Sequence, residues 1–276
     1  MSAGSDEDSE TAIGRLAKYF SARPKYEPLD AVVSRIVRKV RKAVEKMRFY
    51  DLLISGGQGV GKSTLALLIL YKYYKHDAEK VLSNVFFDVE DLIEVLLEER
   101  RDIVLLDDAG VSLNKWRAMS EESVEYNIFQ QIIRTRCSSI IYTTVYDNLS
   151  KFLRDVVKAF IALHTVSDTK EGTIVYGSFY TKKMKTRVII KKLCDFTMHL
   201  EKLHQDSAFH ELYVEYNRRR EEFVKRVTRT ILEKRRKSKQ TEEAEQLFEK
   251  LESARRKPEE EFITRINEII QKMSKQ

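Results

Sequence analysis

Tyr50-Asp-Leu-Leu-Ile-Ser-Gly-Gly-Gln-Gly-Val-Gly-Lys-Ser-Thr64 is the stretch from which the rest of the chain can be read. The apolar run Leu52 to Ile54 is short and predicts a buried strand. It breaks into glycines, which turn sharply because they carry no Cβ. From Gly56 to Ser63 the spacing is G-x-x-x-x-G-K-S, that of a phosphate-binding loop. Glycines at Gly56, Gly57, Gly59 and Gly61, with Gln58 and Val60 between them, let consecutive backbone N–H groups curl round an anionic oxygen. The helix expected from about Ser63 to Tyr74 points its positive end at the same oxygen. Lys62 supplies a mobile charge for β and γ phosphates, and Ser63 a hydroxyl placed to ligate magnesium. Thr64 begins the apolar helical run Leu65 to Leu70 that completes the strand, loop and helix context.

In this context the chain resembles the P-loop nucleoside triphosphatases, over roughly Phe49 to Leu193. The resemblance implies a three-layer αβα core with a mainly parallel sheet, and ATP with Mg2+ as cofactors. A second landmark is Ile103-Val-Leu-Leu-Asp107-Asp108-Ala-Gly110. Its four apolar residues predict a central strand covered on both faces. The two aspartates then lie at the strand's carboxyl end, where open α/β sheets bind ligands. Asp107 is expected to hold magnesium with Ser63. Asp108 is expected to polarise the attacking water, although related ATPases more often use glutamate there.

Asp107 to Gly110 also fits the D-x-x-G of small GTPases. Guanine recognition in that family further needs N-K-x-D after a later strand, whereas Asn114-Lys115 runs into Trp116-Arg117 and precedes a helix. Doubled aspartates after a long apolar strand instead resemble the additional-strand ATPase division, which inserts a later strand between its two motifs. Ser139 to Val145 is that strand here, and the resemblance makes Thr143 or Thr144 its sensor of the γ-phosphate. In ring-forming relatives an arginine soon after the sensor strand reaches a neighbour's nucleotide. Arg154 occupies that place, with Arg134 and Arg136 as rivals.

Charged residues make up 34% of the 276 and the formal net charge is +7, which favours a polyanionic partner. Cys137 and Cys194, the only cysteines, form no metal or disulfide pattern and are expected to pack as small apolar residues in strands. No run is long and apolar enough for a membrane span, and the acidic start has the wrong sign for a leader, so a cytoplasmic protein without membrane contact is expected.

Residues 1–27 read as an acidic, largely unstructured start, with a short helix at Ile13 to Phe20. Residues 28–48 read as an amphipathic helix opened by Pro28. Its basic face, Arg35, Arg38, Lys39, Arg41, Lys42 and Lys46, is either a nucleic-acid stripe or, by preference, the solvated side of a core helix. Residues 49–200 form the ATPase domain. Within them the pattern predicts a strand from Val81 to Phe87, helices at Val89 to Glu99 and Glu121 to about Arg136, a short helix from Asn148, and a strand at Ala159 to Thr165. From Thr173 two strands are expected to form a hairpin whose basic turn, Lys182 to Arg187, lies among Tyr176, Phe179 and Tyr180, a pattern shared by nucleic-acid surfaces and solvated hairpin tips.

Residues 201–276 read as charged helices: a long one from Phe209 to about Lys239, then Glu242 to Ala254 and Pro258 to Met273. Between Arg218 and Gln240 there are eleven Lys or Arg against three Glu. The hairpin that extends the sheet resembles the DNA-pumping ATPases of the FtsK, HerA and zonula occludens toxin type, and the acidic strand ending in Asp107-Asp108 resembles that of the AAA+ replication initiators and helicase loaders. These resemblances imply ATP hydrolysis coupled to action on DNA by a homo-oligomer. The alternative is a nucleotide-dependent switch that binds protein partners through the C-terminal helices.

Overall fold

The computed structural model describes residues 25–109, 131–145, 157–169, 172–184, 188–233 and 235. The short helices expected at Ile13 to Phe20 and from Asn148, Arg154 within the latter, and the helices after residue 240 lie outside these residues.

In chain order the elements are α1 (Leu29–Glu45), β1 (Tyr50–Gly56), α2 (Lys62–Tyr73), α3 (Ala78–Leu82), β2 (Val85–Phe86), α4 (Val89–Glu98), β3 (Arg101–Leu106), β4 (Cys137–Val145), β5 (Ala159–Thr169), β6 (Gly172–Met184), β7 (Val188–His199) and α5 (Leu200–Leu203). Residues 207–233 form a further helix, α6. One seven-stranded sheet has the order β2-β3-β4-β1-β5-β6-β7. Its first five strands are parallel, and β6 and β7 add an antiparallel hairpin. The strand inserted between β1 and β3 is β4, as the additional-strand resemblance requires.

Side chains alternate across a strand, so neighbours in sequence feed opposite layers. Leu52, Ile54, Ile103, Leu105 and Ile141 join one buried cluster with α1, α2 and the start of α6. Leu53, Val104, Leu106, Ile140 and Tyr142 join another with α4. These two clusters on either side of one sheet are the three layers. In α1 the buried stripe is Val32, Val33, Ile36, Val37, Val40 and Ala43. Fully burying each of the valine and isoleucine side chains contributes about 1.5–3 kcal/mol.

The strand expected from Val81 to Phe87 is corrected. Val81 and Leu82 are helical, because the Asp77 carboxylate accepts from the Lys80 N–H and starts α3. Only Val85 and Phe86 pair with β3, at Leu105 and Leu106. The aromatic part of the hairpin surface is also smaller than expected, while Lys185 and Arg187 of the basic turn lie outside the described residues. Phe179 is wholly buried and Tyr180 stacks on Phe160 at 4.6 Å, leaving Tyr176 exposed. Both cysteines are buried free thiols in strands.

The compact unit that carries the sheet extends to Arg218, with Phe209, Leu212 and Tyr216 of α6 in its core. Residues 219–276 form a second unit. Its described part is helical and mostly exposed, with the Arg226 guanidinium over the Phe223 ring. Among the described residues no helix is long and apolar enough to cross a membrane.

Candidate functional site

The loop between β1 and α2 is shaped by its glycines. Gly59 and Gly61 have φ of +77° and +79°, a left-handed backbone that side chains rarely tolerate. Gly56 needs its hydrogen for another reason. A Cβ there would stand 2.8 Å from the Leu163 carbonyl oxygen of β5 and from Val60. Gln58 is exposed at the loop's tip, whereas Val60 and Thr64 are buried beneath it. Below Gly61 lie Met198, at the end of β7, and Leu200, which opens α5.

The Lys62 side chain is 7% exposed and curls back, donating from Nζ to the Gly57 carbonyl at 2.7 Å. Its neighbour Ser63 donates from Oγ to Asp107 Oδ1 at 2.8 Å. Asp107 is completely buried at the end of β3. Its backbone N–H donates to the Phe86 carbonyl, which fixes the end of the strand.

β4 delivers the next group. Leu106 pairs with Tyr142, so one step further Asp107 and Thr143 stand side by side on the α2 face of the sheet. Thr143 Oγ1 donates to Asp107 Oδ1 at 2.6 Å and accepts from the Asp108 N–H at 2.8 Å. Thr144 points the other way. Its hydroxyl donates to the Val145 carbonyl at 3.2 Å, away from Asp107. Of the two threonines read as sensors, the geometry brings Thr143 to the acidic strand and leaves Thr144 out.

Asp108 is half-buried, with φ of +49°. Aspartate visits this left-handed region more readily than most residues. The hydrogen bond to Thr143 holds the turn. Arg134 and Arg136 are exposed at the opposite end of β4 from Thr143, and the Arg134 guanidinium lies 6.0 Å from the Phe49 ring centroid. Arg154 lies outside the described residues.

One participant comes from far along the chain. Tyr216, on α6 and 1% exposed, donates from its hydroxyl to Asp107 Oδ2 at 2.6 Å. Its spacing from Phe209 and Leu212 announces a buried helical stripe, but nothing local announces that the stripe meets an aspartate. The parity of β3 and β4 would have separated Thr143 from Thr144.

Backbone donors, a lysine, a hydroxyl and a carboxylate meet at one helix N-terminus, a set suited to a phosphate chain. The Ser63 and Asp107 oxygens form a hard-oxygen pair that fits Mg2+. Among the described residues no group of three or more His, Cys, Asp or Glu forms any other metal cluster.

The far end of α2 has a different character. Lys72, Lys75 and His76 face Ser34, Val37, Arg38 and Arg41 of α1 across an open groove of about 520 Å³. Lys72 is paired with Asp30. Arg38, Arg41 and Lys75 are exposed.

Comparison with known proteins gives a family match over residues 32–195, to the model described as nSTAND3, Novel STAND NTPase 3. The uncharacterized protein B-251 of Sulfolobus spindle-shape virus 1 is 30% identical over 122 residues, 40% of this chain and 49% of that protein. The match thus spans about half the length of that relative. Among solved structures, the flagellar accessory protein FlaH of Methanocaldococcus jannaschii has a TM-score of 0.34 at 13% identity, covering 51% of this chain and 89% of its own. The N-terminal domain of zonular occludens toxin from Neisseria meningitidis has a TM-score of 0.32 at 14% identity, covering 52% and 93%.

Proposed function

The chain belongs to the Novel STAND NTPase 3 family, and from that premise we propose a P-loop enzyme that hydrolyses nucleoside triphosphates, a magnesium-dependent ATPase that acts on DNA as an oligomer. The observation that carries the hydrolytic part is the meeting of Ser63, Asp107 and Thr143 at the mouth of the phosphate loop.

In this reading the triphosphate lies against the N–H groups of the loop and the N-terminus of α2. Lys62 turns from the Gly57 carbonyl to the β and γ phosphates. Ser63 and Asp107 would hold Mg2+, which would supply positive charge to offset that of the phosphate oxygens. Asp108 orients the attacking water, and Thr143 senses the γ-phosphate from its place beside Asp107. Arg154 of a neighbouring subunit adds charge in the transition state.

For DNA the supporting observation is the groove at the other end of α2. Twelve helical residues separate it from the phosphate loop, about 18 Å at 1.5 Å per residue. Arg38, Arg41 and Lys75 present cationic groups there without needing any base-specific geometry, which suits a phosphate backbone. One rigid helix thus begins at the nucleotide and ends at the groove. The second reading, a switch that binds proteins through its tail, draws support from the contact between α6 and Asp107.

The test is ATP turnover with and without single- and double-stranded DNA, for the wild type, Lys62→Ala, Arg154→Ala and the double variant Arg38→Glu, Arg41→Glu. Stimulation by DNA that is lost in the groove variant while basal turnover persists is the expected result. Activity restored by mixing Lys62→Ala with Arg154→Ala is expected of an oligomer. Turnover indifferent to DNA overturns the DNA reading and leaves the switch.

A further inference from the structure

The Asp107 carboxylate takes three hydroxyl donors. Ser63 and Thr143 both reach Oδ1, and Tyr216 alone of the three reaches Oδ2. The first two belong to the phosphate loop and the strand beside it. The third comes from α6, more than a hundred residues away in sequence. A carboxylate held on one oxygen can swing about its Cβ–Cγ bond, whereas one held on both oxygens is fixed in a plane.

The Tyr216 ring is itself fixed. It packs 5.7 Å from Phe87 and 5.9 Å from Tyr213, measured between ring centroids, within the core cluster that holds α1 and α2. We propose that Tyr216 is a positioning residue for the metal site: by holding Oδ2 it keeps Oδ1 turned to Ser63, so that α6 is a structural part of the nucleotide site. The proposal rests on the magnesium-dependent reading above.

The chemistry gives the contact a direction. Ser63 and Asp107 would hold a cation, which would supply positive charge for the phosphates, while Thr143 stays on the Oδ1 side of the carboxylate and Tyr216 on Oδ2. The tyrosine contact therefore persists when metal binds and favours the metal-competent carboxylate. The phosphate loop and Lys62 do not touch Tyr216 through this contact, so nucleotide binding without metal is independent of it. Occupancy of the site by metal is expected to stiffen α6 around residue 216.

The experiment is a magnesium titration of the full chain with a fluorescent methylanthraniloyl ADP, comparing wild type, Tyr216→Phe and Phe209→Leu. Tyr216→Phe keeps the ring and removes one donor from a buried charged group, so the magnesium midpoint is expected to rise about tenfold with metal-free ADP affinity unchanged. Phe209→Leu, which loosens the same helix without touching Asp107, is expected to lower Tm and leave the midpoint alone. An unmoved or lowered midpoint in Tyr216→Phe, or an equal rise in Phe209→Leu, overturns the proposal.

If Tyr216→Phe does not fold, hydrogen exchange in the wild type decides. Amides 207–218 are expected to gain protection with ADP and magnesium together and not with ADP alone. Equal protection in both overturns the proposal. A wild type that binds ADP with no dependence on magnesium refutes the underlying metal reading instead.

Discussion

Thr143→Val preserves the shape and β-branching of a buried side chain and deletes one hydroxyl. In the wild type that hydroxyl makes two bonds, donating to Asp107 at 2.6 Å and accepting from the Asp108 N–H at 2.8 Å. The first loss weakens a charge-assisted bond, at about 1.5–3 kcal/mol, and the second leaves a backbone donor unpaired, at about 1–3 kcal/mol. Asp107 is completely buried, so water offers it little compensation, although Ser63 and Tyr216 remain as donors. A combined cost of about 3 kcal/mol lowers Tm by about 6–12 °C in a compact unit of this size.

Thr144→Val is the matched control. The same deletion removes only a 3.2 Å bond to the Val145 carbonyl on the other face of the sheet, worth about 1 kcal/mol or less. Hydrolysis separates the pair further. Thr143→Val is expected to lower kcat at least about tenfold, a loss of about 1.4 kcal/mol of transition-state stabilisation, with little change in KM for the nucleotide. Thermal melts and steady-state turnover on both variants check this. A Thr144→Val loss equal to or greater than that of Thr143→Val refutes the assignment of faces and, with it, the sensor reading of Thr143.

Two further expectations concern the loop and the frame around it. Gly59→Ala meets no atom within 4 Å and pays only for its left-handed φ, about 1–2 kcal/mol, whereas Gly56→Ala drives a Cβ against the Leu163 carbonyl, which belongs to a sheet strand and cannot step aside. Gly56→Ala is therefore expected to show the larger drop in Tm, and the opposite order refutes the close approach of β1 and β5. Glu27, 6% exposed, is held below the usual carboxylate value of 4.5, first by its hydrogen bonds from Arg35 and then by that group's charge. Because the folded pKa is the lower one, the pair stabilises fully above pH 4.5 and its contribution is lost as pH falls through the depressed value. Glu27→Gln should lower Tm at pH 7, with a penalty that shrinks on acidification below the usual value. A penalty independent of pH contradicts the ion-pair origin.

Spacing alone yields the phosphate loop, because the job of each residue there follows from its position: glycines where the backbone must curl, Lys62 and Ser63 where the helix begins. The strand Ile103 to Leu106 is equally legible, since four consecutive apolar residues fit a doubly covered strand. The segment Val81 to Phe87 is ambiguous in sequence because an apolar run of that length suits a helix or a strand. The choice fell to the Asp77 cap and to the short edge that β3 leaves open.

By itself, then, the sequence determined the family of fold, the glycine loop with Lys62 and Ser63 at the helix start, and the identity of the acidic strand. Those are properties of residues close together in the chain. Only the tertiary structure decided that Thr143 and not Thr144 stands beside Asp107, that Tyr216 closes the other side of the carboxylate, and that α1 and the end of α2 enclose a basic groove. Each of those depends on which face of one element meets another far away in sequence, and register and packing set that where spacing cannot.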